Sequence, residues 1–316
     1  MTRLVSNTRL AATFGLLAAL AAGPALATDG PDQEKRWTAK GSLGVQYDDN
    51  VTTDDIDSTS NKSDVAAVIE LGGTYSPAFG DPVGLELGYD FSQSLYQDLT
   101  DFNLQTHALS ANVDYEVSGL DLGLNYLYAR TFLGGDDFLG LHSVTPTVGR
   151  LVTDRWYVSL RYNYQNKDFI GAANSGRDSN VNSVTFDNFV FFMDGQAHLS
   201  FGYRLEGENA ASREYDYLGH FFHLRWRSPL PVQALERWNP RVRAGLRYYI
   251  KNFTDVTPSI GTERDDKRAT LSLGLSVDLT EHVEAKLDYE HIAAVSNLPS
   301  SDFDENVVTL TVGVSF

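Results

Sequence analysis

Ionisable residues recur at alternate positions of separate segments, and their signs are sorted along the chain. Glu70, Glu86, Asp90, Asp114, Glu116 and Asp121 come first; Arg161, Arg204, Arg225, Arg227, Arg241, Arg243, Arg247 and Lys251 follow. Most have an apolar residue on either side, so in extended backbone the charges share one face and the apolar residues the other. Two charged walls across water would orient and filter polar solutes. Brought into contact, the same groups would form salt-bridge networks that plug the space between them. Neither arrangement is catalytic.

The seven His are scattered and form no metal spacing and no Ser/His/Asp grouping. His107 and His220 share the apolar phase, His198 and His223 the charged one, and for each a satisfied or interfacial role is expected. The acidic pairs Asp48-Asp49 and Asp54-Asp55 suit divalent cations in type, but no glycine-anchored calcium loop is present, and solvated loop surface is the expectation. The chain therefore predicts no enzyme, no cofactor and no metal site.

The elements that must carry these charges are strands. Fourteen segments alternate with period two, among them "WTAKGSLGVQYD", "DVAAVIELGGTY", "LDLGLNYLYAR", "RVRAGLRYYIK" and the terminal "NVVTLTVGVSF". Two have an unclear phase, around 141–151, where Pro146 should delete one ladder hydrogen bond, and 183–193, which is strongly apolar. The segments match the roughly 9–11 residues of a tilted membrane-crossing strand, longer than the ~5–6 typical of a soluble sandwich. Connections alternate between short turns, such as Ser118-Gly119 and Asp194-Gly195, and long polar loops at 49–63, 93–105, 131–140, 166–182, 207–214, 252–268 and 292–305. Tight inner turns and long outer loops are the pattern of outer-membrane barrels. The expected fold is all-β, a transmembrane antiparallel up-and-down β-barrel of about 14 strands over residues 37–316.

Both ends agree with export. Arg3 and Arg9 precede a short apolar run, and Ala25-Leu26-Ala27 fits a cleavage site, so residues 1–27 read as a signal peptide and 28–36 as a short periplasmic segment. The formal charge of −17 becomes −19 once Arg3 and Arg9 are removed, which disfavours nucleic acid as a partner. There is no cysteine, hence no lipidated N-terminal Cys and no disulfide. Trp37, Trp156, Trp226 and Trp238 all map to the periplasmic rim, as an aromatic girdle would. Val312, Val314 and Phe316 close the chain on a strand with an apolar face and an aromatic end, the form of a C-terminal insertion signal. Such an ending is safe if the last strand pairs with the first and no edge remains.

Four stretches, "LGVQYDDNV", "EYDYLGHFF", "RDDKRATLSLGLS" and "SNLPSSDFDENVVTLTVGVSF", resemble the barrel of the surface lipoprotein assembly modifier family and related outer-membrane β-barrel porins. Members of the assembly-modifier type usually place a periplasmic tetratricopeptide-repeat domain before the barrel, where only residues 28–36 are expected here. The resemblance implies a role in translocation or assembly of surface-exposed lipoproteins or other exported proteins. The residues themselves point first to a narrow non-enzymatic pore for small polar solutes in the Gram-negative outer membrane. A closed structural or adhesive barrel is the third reading. The expected partners are outer-membrane lipid and lipopolysaccharide, the barrel-insertion machinery during biogenesis, and an exported protein or a small polar solute as cargo.

Overall fold

Alternation of apolar and polar side chains becomes fourteen antiparallel strands in the computed structural model, which describes residues 36–77 and 82–316. The signal peptide expected over 1–27 lies outside the described residues, as do 28–35 of the segment after it. The strands are β1 (Trp37–Asp48), β2 (Asp64–Tyr75), β3 (Val83–Tyr96), β4 (Leu104–Val117), β5 (Leu120–Leu133), β6 (Asp136–Thr153) and β7 (Trp156–Phe169). They continue as β8 (Ser179–Phe192), β9 (Ala197–Ala210), β10 (Tyr217–Pro229), β11 (Arg241–Thr257), β12 (Thr262–Asp278), β13 (Val283–Ser296) and β14 (Phe303–Ser315). Each pairs with its sequence neighbours, and β1 pairs with β14 from Lys40↔Ser315 to Asp48↔Val307, so the sheet closes into a barrel. Closure answers the problem of the apolar terminal strand: both of its edges are hydrogen-bonded.

The distribution of side chains is that of a soluble protein turned outward. Leu43, Val45, Leu109, Leu124, Leu160, Leu246, Leu287 and Leu310 are exposed around the belt, whereas Asp48, Ser94, Thr131 and Asp187 are among the most buried. An apolar belt over a polar interior is the arrangement lipid requires, since every backbone donor is satisfied within a closed ring.

The structure settles the two unclear phases. In β6, Val144, Pro146 and Val148 are exposed on the belt while Ser143 and Thr145 are buried toward the lumen. The β6–β7 ladder skips from Val144↔Tyr164 to Thr147↔Arg161, the gap Pro146 imposes. In β8, Val184 and Phe186 face outward and Thr185 and Asp187 inward. Phe189 packs on Tyr157, their ring centroids 6.1 Å apart, so apolar residues occupy both faces near the inner end, which is why the period was obscured.

Several outer connections are shorter than expected. The stretch 131–140 is mostly strand and turns at Gly134-Gly135, both with positive φ, and 252–268 continues β11 and β12 to a turn ending at Gly261. Beyond the membrane a strand needs no apolar face, so hydrogen bonding runs on after the sequence pattern has stopped. At the inner end Ser118 and Gly119 both have positive φ, the requirement of a two-residue hairpin whose twist matches its strands. The turn between β10 and β11 contains a short 3₁₀ helix, Gln233–Trp238.

Candidate functional site

Strand phase brings Glu70, Glu86, Asp90, Asp114, Glu116 and Asp121 onto one arc of the lumen, β2 to β5, and the eight basic residues onto the arc from β7 to β11. The acidic arc is crowded with like charges, Glu116 lying directly opposite Asp121 in register. Its two stranded neighbours soften this farther up: Lys40 on β1 pairs with Asp90 at 3.0 Å, and Ser42 donates to Glu70 at 3.1 Å.

The paired members of the basic arc do not reach across the lumen to the acidic arc for their counter-charges. They take them sideways. Arg241 forks onto Asp278 of β12 at 2.5 Å and onto Glu284 of β13 at 2.9 Å. Arg243 pairs with Asp288 at 2.8 Å and Arg247 with Glu290 at 2.5 Å. Arg161 meets Asp187 at 2.5 Å, and Arg204 meets Glu206 at 3.3 Å while lying over the Phe221 ring. Lys251 sits over the Tyr217 and Tyr249 rings. Adjacent strands are about 4.8 Å apart, far closer than opposite walls, so lateral pairs form first. Sequence reading missed Asp187, Asp278, Glu284, Asp288 and Glu290 because it weighed only the longest runs of each sign; their alternation with Leu287 and Leu275 was the available signal.

Asp187 is the most deeply buried acid of this wall, 2% exposed, with Arg161 on one oxygen and His223 Nε2 3.2 Å from the other. Asp187→Ala would leave both without a counter-charge. We expect a loss of about 3 kcal/mol, at the low end for a broken buried pair because lumen water still reaches Arg161. Thermal melting of the detergent-refolded barrel checks this, with Asp187→Asn as the milder comparison.

The loop 49–63 is not the solvated surface its composition suggested. It crosses the mouth of the lumen inside the ring of strand ends and docks on the far wall, where Ile56 packs against Phe138, Leu139 and Phe169 of β6 and β7. At its root Val51 packs on Ala66 and Tyr96, Asp48 accepts from the Asn50 N–H and the Tyr96 O–H, and Glu305 accepts from Thr52. Farther along, the Arg268 guanidinium grips both oxygens of Asp54. Asp57 receives Arg264 and Arg177, each at 2.7 Å, and Arg177 also donates to the Asp55 carbonyl at 3.1 Å. Thr59 donates to the Ser300 carbonyl at 2.8 Å. The Asp54 carboxylate and the Asp55 carbonyl thus help anchor a strap; among the described residues there is no group of three or more His, Asp or Glu that could hold a metal ion.

Two carboxyls of the strap titrate in opposite senses. Burial pushes Asp55 up to about 6, with Asp54 adding to the shift and Lys167 and Lys251 opposing it. Asp57 is also desolvated, but Arg264 and Arg177 outweigh that and hold it down at about 2. The ionised form of Asp55 is penalised on docking, so docking should strengthen as pH falls from about 6 toward 3.8. Asp57 contributes fully above 3.8 and loses its contribution as pH falls through about 2. Hydrogen-exchange protection over residues 51–59, corrected for the intrinsic pH effect, should therefore rise from neutrality to mild acid and fall again in strong acid. Asp55→Asn should abolish the rise and keep the fall.

The four Trp all lie at the end of the barrel that carries the short turns: Trp37 and Trp156 open β1 and β7, Trp226 is near the end of β10, and Trp238 ends the 3₁₀ helix. Trp37 stacks on Tyr75 at 4.2 Å, and Trp156 donates to Asn188 at 3.1 Å. A second set of outward aromatics is paired with His across neighbouring strands, a pairing the alternation does not display. Tyr89, Tyr126 and Tyr203 each share a hydrogen bond with a His on the next strand, His107, His142 and His220, at 2.7–2.9 Å. These contacts satisfy the polar tips of exposed rings and account for His107 and His220 without ligand chemistry. Val312, Val314 and Phe316 are exposed on the outer face, Phe316 stacking on His282 at 5.5 Å.

No curated protein sequence matches the chain. Among solved structures, an anion-selective porin from Comamonas acidovorans superposes with a TM-score of 0.52 at 12% identity, covering 89% of this chain and 98% of that one. A loop L8 deletion mutant of OmpT, an outer membrane protein of Vibrio cholerae, gives 0.51 at 9% identity, covering 89% and 99%. At these identities the likeness is one of fold: a Gram-negative outer-membrane β-barrel of porin type. The sequence model for surface lipoprotein assembly modifiers matches residues 37–316, the whole of the barrel just described, and the chain belongs to that family.

Proposed function

We propose that the barrel is a narrow, non-enzymatic pore for small polar solutes, its lumen crossed by a transverse field and its outer mouth narrowed by the 49–63 strap. The observation that carries this reading is the sorting of charged side chains by arc: Asp114 and Glu116 remain exposed to the lumen, while Arg241, Arg243 and Arg247 of the basic arc are paired with acids of neighbouring strands. A lumen filled by protein would have joined the two arcs to each other. Glu70, Glu86, Asp90, Asp114, Glu116 and Asp121 are the acidic lining in this reading, and Arg161, Arg204, Arg225, Arg227, Arg241, Arg243, Arg247 and Lys251 the basic one. Lipid and lipopolysaccharide surround the belt. The Trp girdle seats the inner rim, and Val312, Val314 and Phe316 present the chain to the insertion machinery.

Membership of the assembly-modifier family supports a second reading, passage or assembly of a surface lipoprotein or other exported protein. Planar-bilayer recording of the refolded protein separates the readings. Discrete current steps with a non-zero reversal potential in a salt gradient are expected of the pore. A silent bilayer from both the native chain and a strapless variant would overturn it. Loss of surface-exposed lipoprotein from cells lacking the protein, read by protease shaving, would favour the second.

A further inference from the structure

Among the lumen cations, Arg161, Arg204, Arg241, Arg243 and Arg247 each hold a carboxylate within 3.3 Å, and Lys251 rests on two tyrosine rings. Arg225 differs. It projects from the middle of the basic arc, half-buried, and no carboxylate of the described residues lies within 4.0 Å of it. Its partners in register are Ser200 on β9 and Gly245 on β11, too short to reach its guanidinium. Asp187, the acid that acts on it at longer range, is already taken by Arg161, with His223 beside its other oxygen. Arg161 and Arg247 press on Arg225 as like charges. A guanidinium cannot shed its proton to relieve this, and a partly desolvated charge without a counter-charge is costly.

We infer that Arg225, set between Ser200 and Gly245 of the adjacent strands, is an oxyanion subsite that takes the carboxylate or phosphate group of a solute from the lumen. The planar guanidinium fork suits two-oxygen acceptors, which distinguishes such groups from a spherical halide. The small side chains on either side leave room for the acceptor: a Cβ built at Gly245 meets nothing nearer than 3.7 Å. This deepens the pore reading by naming a solute class, yet binding at Arg225 does not itself depend on conduction.

The test uses the full barrel in detergent with inorganic phosphate as the probe and acetate as competitor, followed by phosphorus NMR line width. The native protein should broaden the phosphate line, and acetate should reverse it. Arg225→Gln should weaken binding roughly tenfold or more, the loss of a charge-assisted fork. Arg225→Lys should fall between. Gly245→Asp should weaken it as much as Arg225→Gln, because a carboxylate of the protein then occupies the subsite with the arginine still present. Heat modifiability confirms that each variant is folded. Phosphate broadening that survives unchanged in both Arg225→Gln and Gly245→Asp overturns the subsite. Bilayer currents distinguish this from the fate of the pore: currents with Arg225-independent phosphate binding leave the pore and remove the subsite, whereas Arg225-dependent binding in a silent barrel does the reverse.

Discussion

Arg264→Ala combined with Arg268→Ala should raise single-channel conductance on the order of threefold, because the two changes loosen a strap that lies across the mouth. Arg268 holds Asp54 and Arg264 holds Asp57, and neither acid has another guanidinium of comparable reach except Arg177 on Asp57. Adding Arg177→Ala should complete the release. The root of the loop would stay, since Val51 is fully buried against Ala66 and Tyr96. Replacement of Asp54 to Asp57 by Gly and Ser should reproduce the effect without touching the wall. The barrel itself should keep its heat-modifiable form, as its ladder is independent of the strap. If neither variant changes conductance, the narrowest point of the lumen lies elsewhere and the strap is only a structural tie. A closed structural barrel predicts a different result: no current from the native chain, and large steps once the strap is cut.

Removing Phe316 should reduce the barrel in the outer membrane by on the order of tenfold, while barrel that does form melts almost as the native protein does. The asymmetry follows from where the residue sits. The residue is 64% exposed, so little packing is lost with it. Its backbone makes two of the bonds that join the last strand to the first, with Ala39 N–H and C=O at 3.3 and 2.9 Å. Two bonds among the many in the seam are worth ~1–3 kcal/mol, too little to unfold a closed barrel. A large drop in insertion must then come from recognition of the aromatic end during assembly. Outer-membrane fractions compared by heat modifiability, with detergent-refolded samples melted in parallel, measure the two effects separately. Equal loss in both would make Phe316 a stability residue; no loss in either would remove it from assembly altogether. Phe316→Tyr should behave as the native chain.

What the sequence determined by itself was everything that depends on neighbouring residues and on the solvent at each face. Alternation along Trp37–Asp48 or Leu120–Leu133 is local, and lipid outside with water inside enforces it, so strand number and the alternation of short and long connections were legible before any fold was known. The tertiary structure decided whatever depends on distance across the ring. Arg241 and Arg243 chose Asp278, Glu284 and Asp288 over Asp114 and Glu116 because neighbouring strands lie closer than opposite walls. Asp54-Asp55 read as solvated loop surface, for nothing in 49–63 announces that Arg177, Arg264 and Arg268, more than a hundred residues away, will hold Asp54, Asp57 and the Asp55 carbonyl. Strand ends beyond the membrane were also invisible, as at 131–140 and 252–268: once both faces meet water, side chains stop alternating, and only backbone pairing, which the sequence does not display, carries the strand onward.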